Sequence, residues 1–385
     1  MALSESISNQ TKVSLRMAKH LFLKESQKNI VFSPLSMQVV LSLIAAGSEG
    51  ATKQQLLDFL LSESTEDLNS FASYLVSSAL NDASLVGGPR LSFVNGVWVE
   101  QTLPLLPSFK QIASMDYKAN LASVDFLHKA DEVANEVNLW VERKTNDLIK
   151  ELLPPGLVDS DTCLIFANAL YFKGEWDSKF DVSKTKDYDF HLPDGSAVKV
   201  PFMISKKKQL IEYFDGFKVL HLPYKKGKDN RQFSMHFYLP NAKDGLSALV
   251  ENVTSRPSLL HPNFRLSQNE VGDFRIPKFD ISFGLETTDM LKKLGVNLPF
   301  FPGGLTKMVD SHVGQGLFVS HTFHKSFIKI DEDGSEAAAA SVACIFKGIP
   351  SRLDFVADHP FLFLIRDDLT GTVLFIGQVL NPLDM

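Results

Sequence analysis

Residues 331–352 read DEDGSEAAAASVACIFKGIPSR, and no ordinary element accommodates them. Alanine has the best helix propensity and Ser335 suits an N-cap, so the naive reading is a helix. Such a helix has no apolar stripe before Val342 and is marginal alone at this length. The alternative is a surface loop of about twenty residues, and a loop that long within a compact domain is usually functional or disordered. A strand reading is more informative, because side chains then alternate between faces with period two. One face carries Ser335, Ala337, Ala339, Ser341 and Ala343, all small; the other carries Glu336, Ala338, Ala340, Val342 and Cys344. A segment with one uniformly small face can slide between two existing strands without steric conflict.

Outward from this stretch, strands dominate. Downstream, HPFLFLIRDDLTGTVLFIGQV predicts a hairpin around residues 367–371. Upstream, RIPKFDISF reads as strand, and HLPDGSAVKV as strand, Asp194-Gly195 turn and return strand. Residues 165–172 and 217–222 are apolar runs, and Phe233, Met235, Phe237 and Leu239 alternate as in a half-buried strand. The first third reads helical instead. Val13, Met17, Leu21 and Phe22 recur at helix spacing, an apolar helix starts near Ser33-Pro34, and TKQQLLDFLLSE is amphipathic. Over residues 133–152, Val133, Val137, Trp140, Val141 and Leu148 share a face, with Pro154, Pro155 and Gly156 as the stop. Early helices, later strands and no linker or repeat predict one α+β domain spanning residues 1–385.

Composition narrows the function classes. Thirty phenylalanines and a hydrophobic fraction of 44% supply a large core, yet the longest apolar stretches, such as 361–365, fall far short of the ~20 residues of a membrane span. A formal net charge of −6, from 45 acidic and 39 basic residues, does not imply wholesale nucleic-acid binding. Lys206, Lys207, Lys208 and the group Lys225, Lys226, Lys228, Arg231 read as solvated turns, a polyanion or nuclear-import surface being the alternative. Two cysteines, Cys163 and Cys344, make neither a disulfide framework nor a metal-site spacing. The N-terminus lacks the basic start and apolar run of a secretory signal, so the expectation is cytosol or nucleus. No GxSxG, HExxH or P-loop motif is present, and neither an enzyme nor a cofactor is expected.

VSHTFHKSFIKIDEDGSEAAAASVA, followed by FVADHPFLFLIRDDLTGTVLFIGQVLNP, resembles the reactive-centre hinge and C-terminal signature of the serpin family. NIVFSPLSM, NALYFKGEWDSKF, FYLPN and IPKFDISF resemble further serpin blocks in the expected order, from about residue 13 to residue 382. FVADHPF and the absent signal make the chain similar to plant Z-type serpins. The resemblance implies an α+β fold of helices packed on three β-sheets, with an exposed hinge and reactive-centre loop over residues 331–354. It implies a monomeric suicide inhibitor whose partner is a trypsin-like serine or papain-like cysteine protease. A serpin that no longer inhibits, and acts as a binding or carrier protein, is the alternative.

Residue by residue, the hinge pattern falls on Glu332, Gly334, Ser335, Glu336, Ala337, Ala338, Ala339 and Ala340. On insertion Ser335, Ala337 and Ala339 would face inward, where a charge would meet a severe burial cost. The family's polar cluster beneath the sheet opening falls on Ser33, Ser36, Asn168 and His324, with Trp176 near the point of loop insertion. Counting seventeen residues with Glu332 as the first ends on Gly348, which places the cleaved bond at Gly348–Ile349 by family spacing. Glycine offers nothing to a specificity pocket, whereas Lys347 suits the acidic primary pocket of trypsin-like enzymes. Lys347–Gly348 is therefore the expected bait bond, with Phe346 beside it for the apolar second pocket of papain-like proteases. Cys344 reads as a small tolerated residue of the loop, a redox handle being the alternative.

Overall fold

Ser33 begins the helix on which the central sheet rests. Its backbone is extended, its hydroxyl oxygen accepts the Ser36 amide, and Pro34 fills a first-turn position that needs no amide donor. The computed structural model describes residues 3–260, 267–310, 314–332 and 353–384. In it, helix Pro34–Ala46 is buried almost all round, as its unbroken apolar sequence requires. Helices Leu3–Lys24 and Gly50–Leu60 pack beside it, the first burying Val13, Met17, Leu21 and Phe22.

One predicted helix starts and ends earlier than its sequence pattern. Phe126–Lys144 starts at Asp125, whose carboxylate accepts the His128 amide, and ends at Thr145, well before Pro154. Asn146 and Asp147 turn the chain with φ of 54° and 62°, a region these two residue types tolerate better than most. Thr145 closes the turn, its hydroxyl donating to the Val141 carbonyl and accepting the Ile149 amide. Leu148 therefore leaves the helical face. It lies in a strap over residues 145–163 that, with the helix, covers one face of the central sheet.

Among the described residues, three sheets carry most of the remainder. The seven-stranded sheet runs Ile30–Phe32, Val373–Val379, Phe361–Asp367, Phe233–Pro240, Phe217–Pro223, Gln209–Phe214, Ser267–Asn269. Phe233–Pro240 is buried at all eight positions rather than on one side, because both faces of its sheet are covered. The four-stranded sheet runs Leu353–Val356, Val271–Pro277, Ala197–Ile204, Lys186–His191. The central five-stranded sheet runs Phe279–Glu286, His321–Ile330, Leu164–Lys173, Arg90–Glu100, Asn120–Val124. RIPKFDISF thus breaks at Lys278 and feeds two sheets.

Two of the central strands, Arg90–Glu100 and Asn120–Val124, lie in the third of the chain that reads helical. The longer one hides behind Asn95-Gly96, a pair that ordinarily marks a hairpin turn. Here Gly96 sits mid-strand because a Cβ would meet the Trp98 ring at 2.5 Å and the Trp140 ring at 3.2 Å. Among the described residues, no helix is long and apolar enough to cross a membrane.

Candidate functional site

The central sheet has a seam. Strands Leu164–Lys173 and His321–Ile330 run parallel and hydrogen-bond from His321↔Ile165 to Ile328↔Phe172. Their other neighbours, Arg90–Glu100 and Phe279–Glu286, pair with them antiparallel. Parallel ladders are slightly less stable per residue than antiparallel ones. The chain leaves this seam at Asp331, at the start of the anomalous stretch.

That departure is anchored twice. Trp176 Nε1 donates to the Asp331 carbonyl at 2.9 Å, and its ring stacks on Tyr224 with centroids 4.5 Å apart. Glu332 is buried, with Lys278 Nζ 2.7 Å from Oε2 and the Thr185 hydroxyl donating to Oε1 at 2.6 Å. Burial alone would raise the Glu332 carboxyl, but the hydrogen bonds from Lys278 and Thr185 prevail and hold it below its ordinary value. Lys278 reaches it from the break between two sheets, a position the sequence does not mark as special.

Beneath the middle of the seam, four of the predicted residues meet. His324 and Asn168 are register partners across the parallel pair. His324 Nε2 accepts the Ser33 amide at 3.0 Å and stands 2.7 Å from the Ser326 hydroxyl. The proton therefore sits on Nδ1 and is donated to Asn168 Oδ1 at 2.6 Å. Asn168 Nδ2 donates in turn to the Ser36 carbonyl at 2.8 Å. Burial pushes His324 down to about 3, so the ring is neutral. The chain of bonds ties strand to strand and both strands to the first turn of Pro34–Ala46. The Ser36 hydroxyl oxygen, also buried, has no partner among the described residues. Trp176 does not join this group; it stands at the end of the strand on which His324 sits.

On the opposite face the strap crosses the same strands. Lys325 Nζ donates to the Lys150 carbonyl at 2.5 Å and the Glu151 carbonyl at 3.3 Å. Asn138 holds both ends of Leu153, donating to its carbonyl at 3.0 Å and accepting its amide at 2.8 Å. Ile149, Leu152, Leu153 and Val158 pack with Ile165, Ala167, Ala169 and Phe323. Sequence reasoning missed Thr185, Lys278, Lys325 and Asn138, polar residues whose partners are distant in the chain, and Ser326, whose partner His324 is two residues away on the same strand. Gly334, Ser335, Glu336, Ala337, Ala338, Ala339, Ala340, Lys347, Gly348 and Ile349 lie outside the described residues, as does Cys344.

Three sheets, a parallel seam and a doubly anchored departure point agree with the family match, in which the model described as Serpin (serine protease inhibitor) covers residues 8–382. The chain belongs to the serpin family. It is 53% identical to Serpin-ZX of Arabidopsis thaliana, over 100% of both chains. Serpin-ZXA of Oryza sativa subsp. japonica is also 53% identical, over 98% of each chain. The solved Arabidopsis AtSerpin1, described as a native stressed conformation, superposes with a TM-score of 0.94 at 52% identity, covering 100% of this chain and 99% of that one. Serpin48 of the insect Tenebrio molitor gives 0.83 at 27% identity, with 98% of each chain covered. The fold is thus that of a protease-inhibitor family, and the relatives are plant Z-type serpins.

Both basic clusters of this serpin sit in turns. Lys207 bonds Ser178, Lys208 faces Glu270 and Lys225 faces Glu175, while Arg231 bonds the carbonyls of Ser78, Ala79 and Asn81.

Proposed function

We propose that this serpin is a suicide inhibitor of endopeptidases, taking one trypsin-like serine or papain-like cysteine protease per molecule. The observation that supports this most is the parallel seam ending at the anchored hinge. A segment folding back from Glu332 between the two seam strands runs antiparallel to both, replacing one parallel ladder with two antiparallel ones. About ten new ladder bonds at ~1 kcal/mol net each match the stability of a whole ordinary domain. Fourteen residues at ~3.3 Å each carry a tethered enzyme roughly 45 Å. The small face of Ser335, Ala337 and Ala339 suits the burial this requires.

The protease nucleophile attacks the Lys347 carbonyl carbon. The bond to Gly348 breaks, the Gly348 amine leaves with a proton, and an ester or thioester links Lys347 to the enzyme. Insertion then separates the acyl bond from the new amine before water reaches it. Opening the seam requires Glu332 to leave Lys278 and Thr185, the strap to lift from Lys325, and His324 and Asn168 to part. The spare Ser36 hydroxyl is a ready partner for the separated groups.

The test is to mix the protein with trypsin and, separately, with a papain-like protease, then sequence the released C-terminal fragment. The reading expects a band that survives denaturation and a fragment beginning at Gly348. A fragment beginning at Ile349 moves the bond to the alternative by family spacing. Clean cleavage with both enzymes and no complex overturns inhibition of these two classes, leaving a binding or carrier role.

A further inference from the structure

Away from the seam, the seven-stranded sheet gathers three metal-ligating side chains. His221 and His236 are register partners on Phe217–Pro223 and Phe233–Pro240. Their rings stack with centroids 4.6 Å apart and planes 16° from parallel. Asp368, one residue past strand Phe361–Asp367, brings its carboxylate to both. Oδ2 lies 3.1 Å from His221 Nε2, and Oδ1 lies 3.6 Å from His236 Nε2. One ligand atom from each residue falls within 4.8 Å of the other two.

We propose that His221, His236 and Asp368 form a binding site for a divalent transition-metal ion of the zinc type. Bonds of about 2.0–2.2 Å in a tetrahedral site put donor atoms roughly 3.3 Å apart, so closing the set takes an inward shift of the donors and a turn of the stacked rings that makes both Nε2 lone pairs, which lie in the ring planes, converge. Two imidazoles and one carboxylate suit zinc, copper or nickel, whereas calcium and magnesium prefer an all-oxygen set. Two of the ligands already hold the required protonation states. Burial keeps His236 neutral, with its pKa lowered to about 3. Burial would raise Asp368, but its hydrogen bonds with His221 and His236 hold it well below the usual carboxylate range.

The surroundings orient the carboxylate. Ser234 donates its hydroxyl to Oδ1 at 2.7 Å, and Arg366 Nε donates to the same oxygen at 3.1 Å. Arg366 Nη1 is itself fixed on the Leu260 carbonyl at 2.9 Å. Such outer partners commonly set ligand geometry at metal sites, and here they leave Oδ2 to the ion. The guanidinium charge opposes a cation, so the site is weaker than a closed four-ligand one. His236 Nε2 stands 3.0 Å from the Ser234 hydroxyl, so binding exchanges that contact for the ion and moves the ring proton to Nδ1, which has no partner among the described residues. His236 is fully buried, while the side chains of His221 and Asp368 are 15% and 14% exposed, which gives the ion its path and a solvent-facing fourth position.

The test is titration of the chelator-treated full chain with cobalt(II) chloride, read by visible d–d absorption, with zinc as competitor. The expected result is one saturable equivalent, displaced by zinc. His221→Ala should weaken binding by about 10–100-fold or more, since even outer partners are worth that much. This variant changes a partly exposed side chain, and its melting temperature in chelator checks that it folds. The double variant Cys163→Ser, Cys344→Ser should bind as the parent does. Absence of saturable binding, undiminished binding by His221→Ala, or loss of binding in the thiol-free variant each overturns the proposal.

Discussion

His324 Nδ1 stands 2.6 Å from Asn168 Oδ1, across the pair of strands that must separate if a further strand is to lie between them. A neutral imidazole makes this bond, and the same burial that keeps it neutral couples the fold to acid. His324 and His236 each have a pKa of about 3 when folded, against about 6.5 when unfolded. Between those values the unfolded chain binds more protons, so stability falls as pH drops from about 6.5 toward 3, by ~1.4 kcal/mol per unit for each ring. Above pH 7 neither contributes a slope. The urea midpoint should decline between pH 7 and pH 5, and His324→Gln should lessen the decline. A flat midpoint over that interval contradicts the assignment.

Glu332→Gln keeps the shape of the hinge anchor and removes its charge. Lys278 is about one-third exposed, which screens the pair, so the expected loss is about 1–2 kcal/mol. If Glu332 leaves its partners on insertion, as proposed, the loss should show in the melting of the uncleaved protein and not in that of the loop-cleaved product. Equal losses in both forms would mean that the ion pair survives the movement.

Lys325→Met removes the donor that pins two carbonyls of the strap. The backbone there takes positive φ at Asn146, Asp147 and Glu151, and Glu151 is a residue type that rarely adopts it. Amide exchange over residues 145–153 should accelerate while that of Leu164–Lys173 stays slow. Uniform acceleration across both would make Lys325 a general stabiliser of the sheet.

On the proposed insertion, Ser335→Arg puts a cation on the small face of the segment, where burial without a partner is costly. Cleavage should persist and trapping should fail, so the stoichiometry of inhibition rises several-fold or trapping disappears, while Ser335→Ala stays close to the parent. An unchanged stoichiometry in Ser335→Arg contradicts the inserted orientation.

Much of the fold is legible where local pattern and tertiary role coincide. Ser33-Pro34 announces a helix start, and the paired apolar runs on either side of residues 367–371 announce a hairpin; both are present. Arg90–Glu100 escapes because Gly96 answers to two tryptophan rings rather than to a turn. The helix at Phe126–Lys144 is overread because Leu148 keeps the apolar spacing after the backbone has left the helix. For the site, the motif pattern brings Ser33, Ser36, Asn168 and His324 to one place. It is silent on Lys278 and Thr185, whose pairing with Glu332 spans 54 and 147 residues of chain.

The three tryptophans divide between two places that the proposed mechanism sets in motion. Trp98 and Trp140 meet edge to face at 5.1 Å, one on the central sheet and the other on the helix above it. Trp176 holds the Asp331 carbonyl at the hinge. The molecule therefore carries its own optical probes: emission from the first pair follows separation of helix from sheet, and Trp176 follows release of the loop. Single Trp→Phe variants would assign each phase of a stopped-flow trace to one of these events and establish their order.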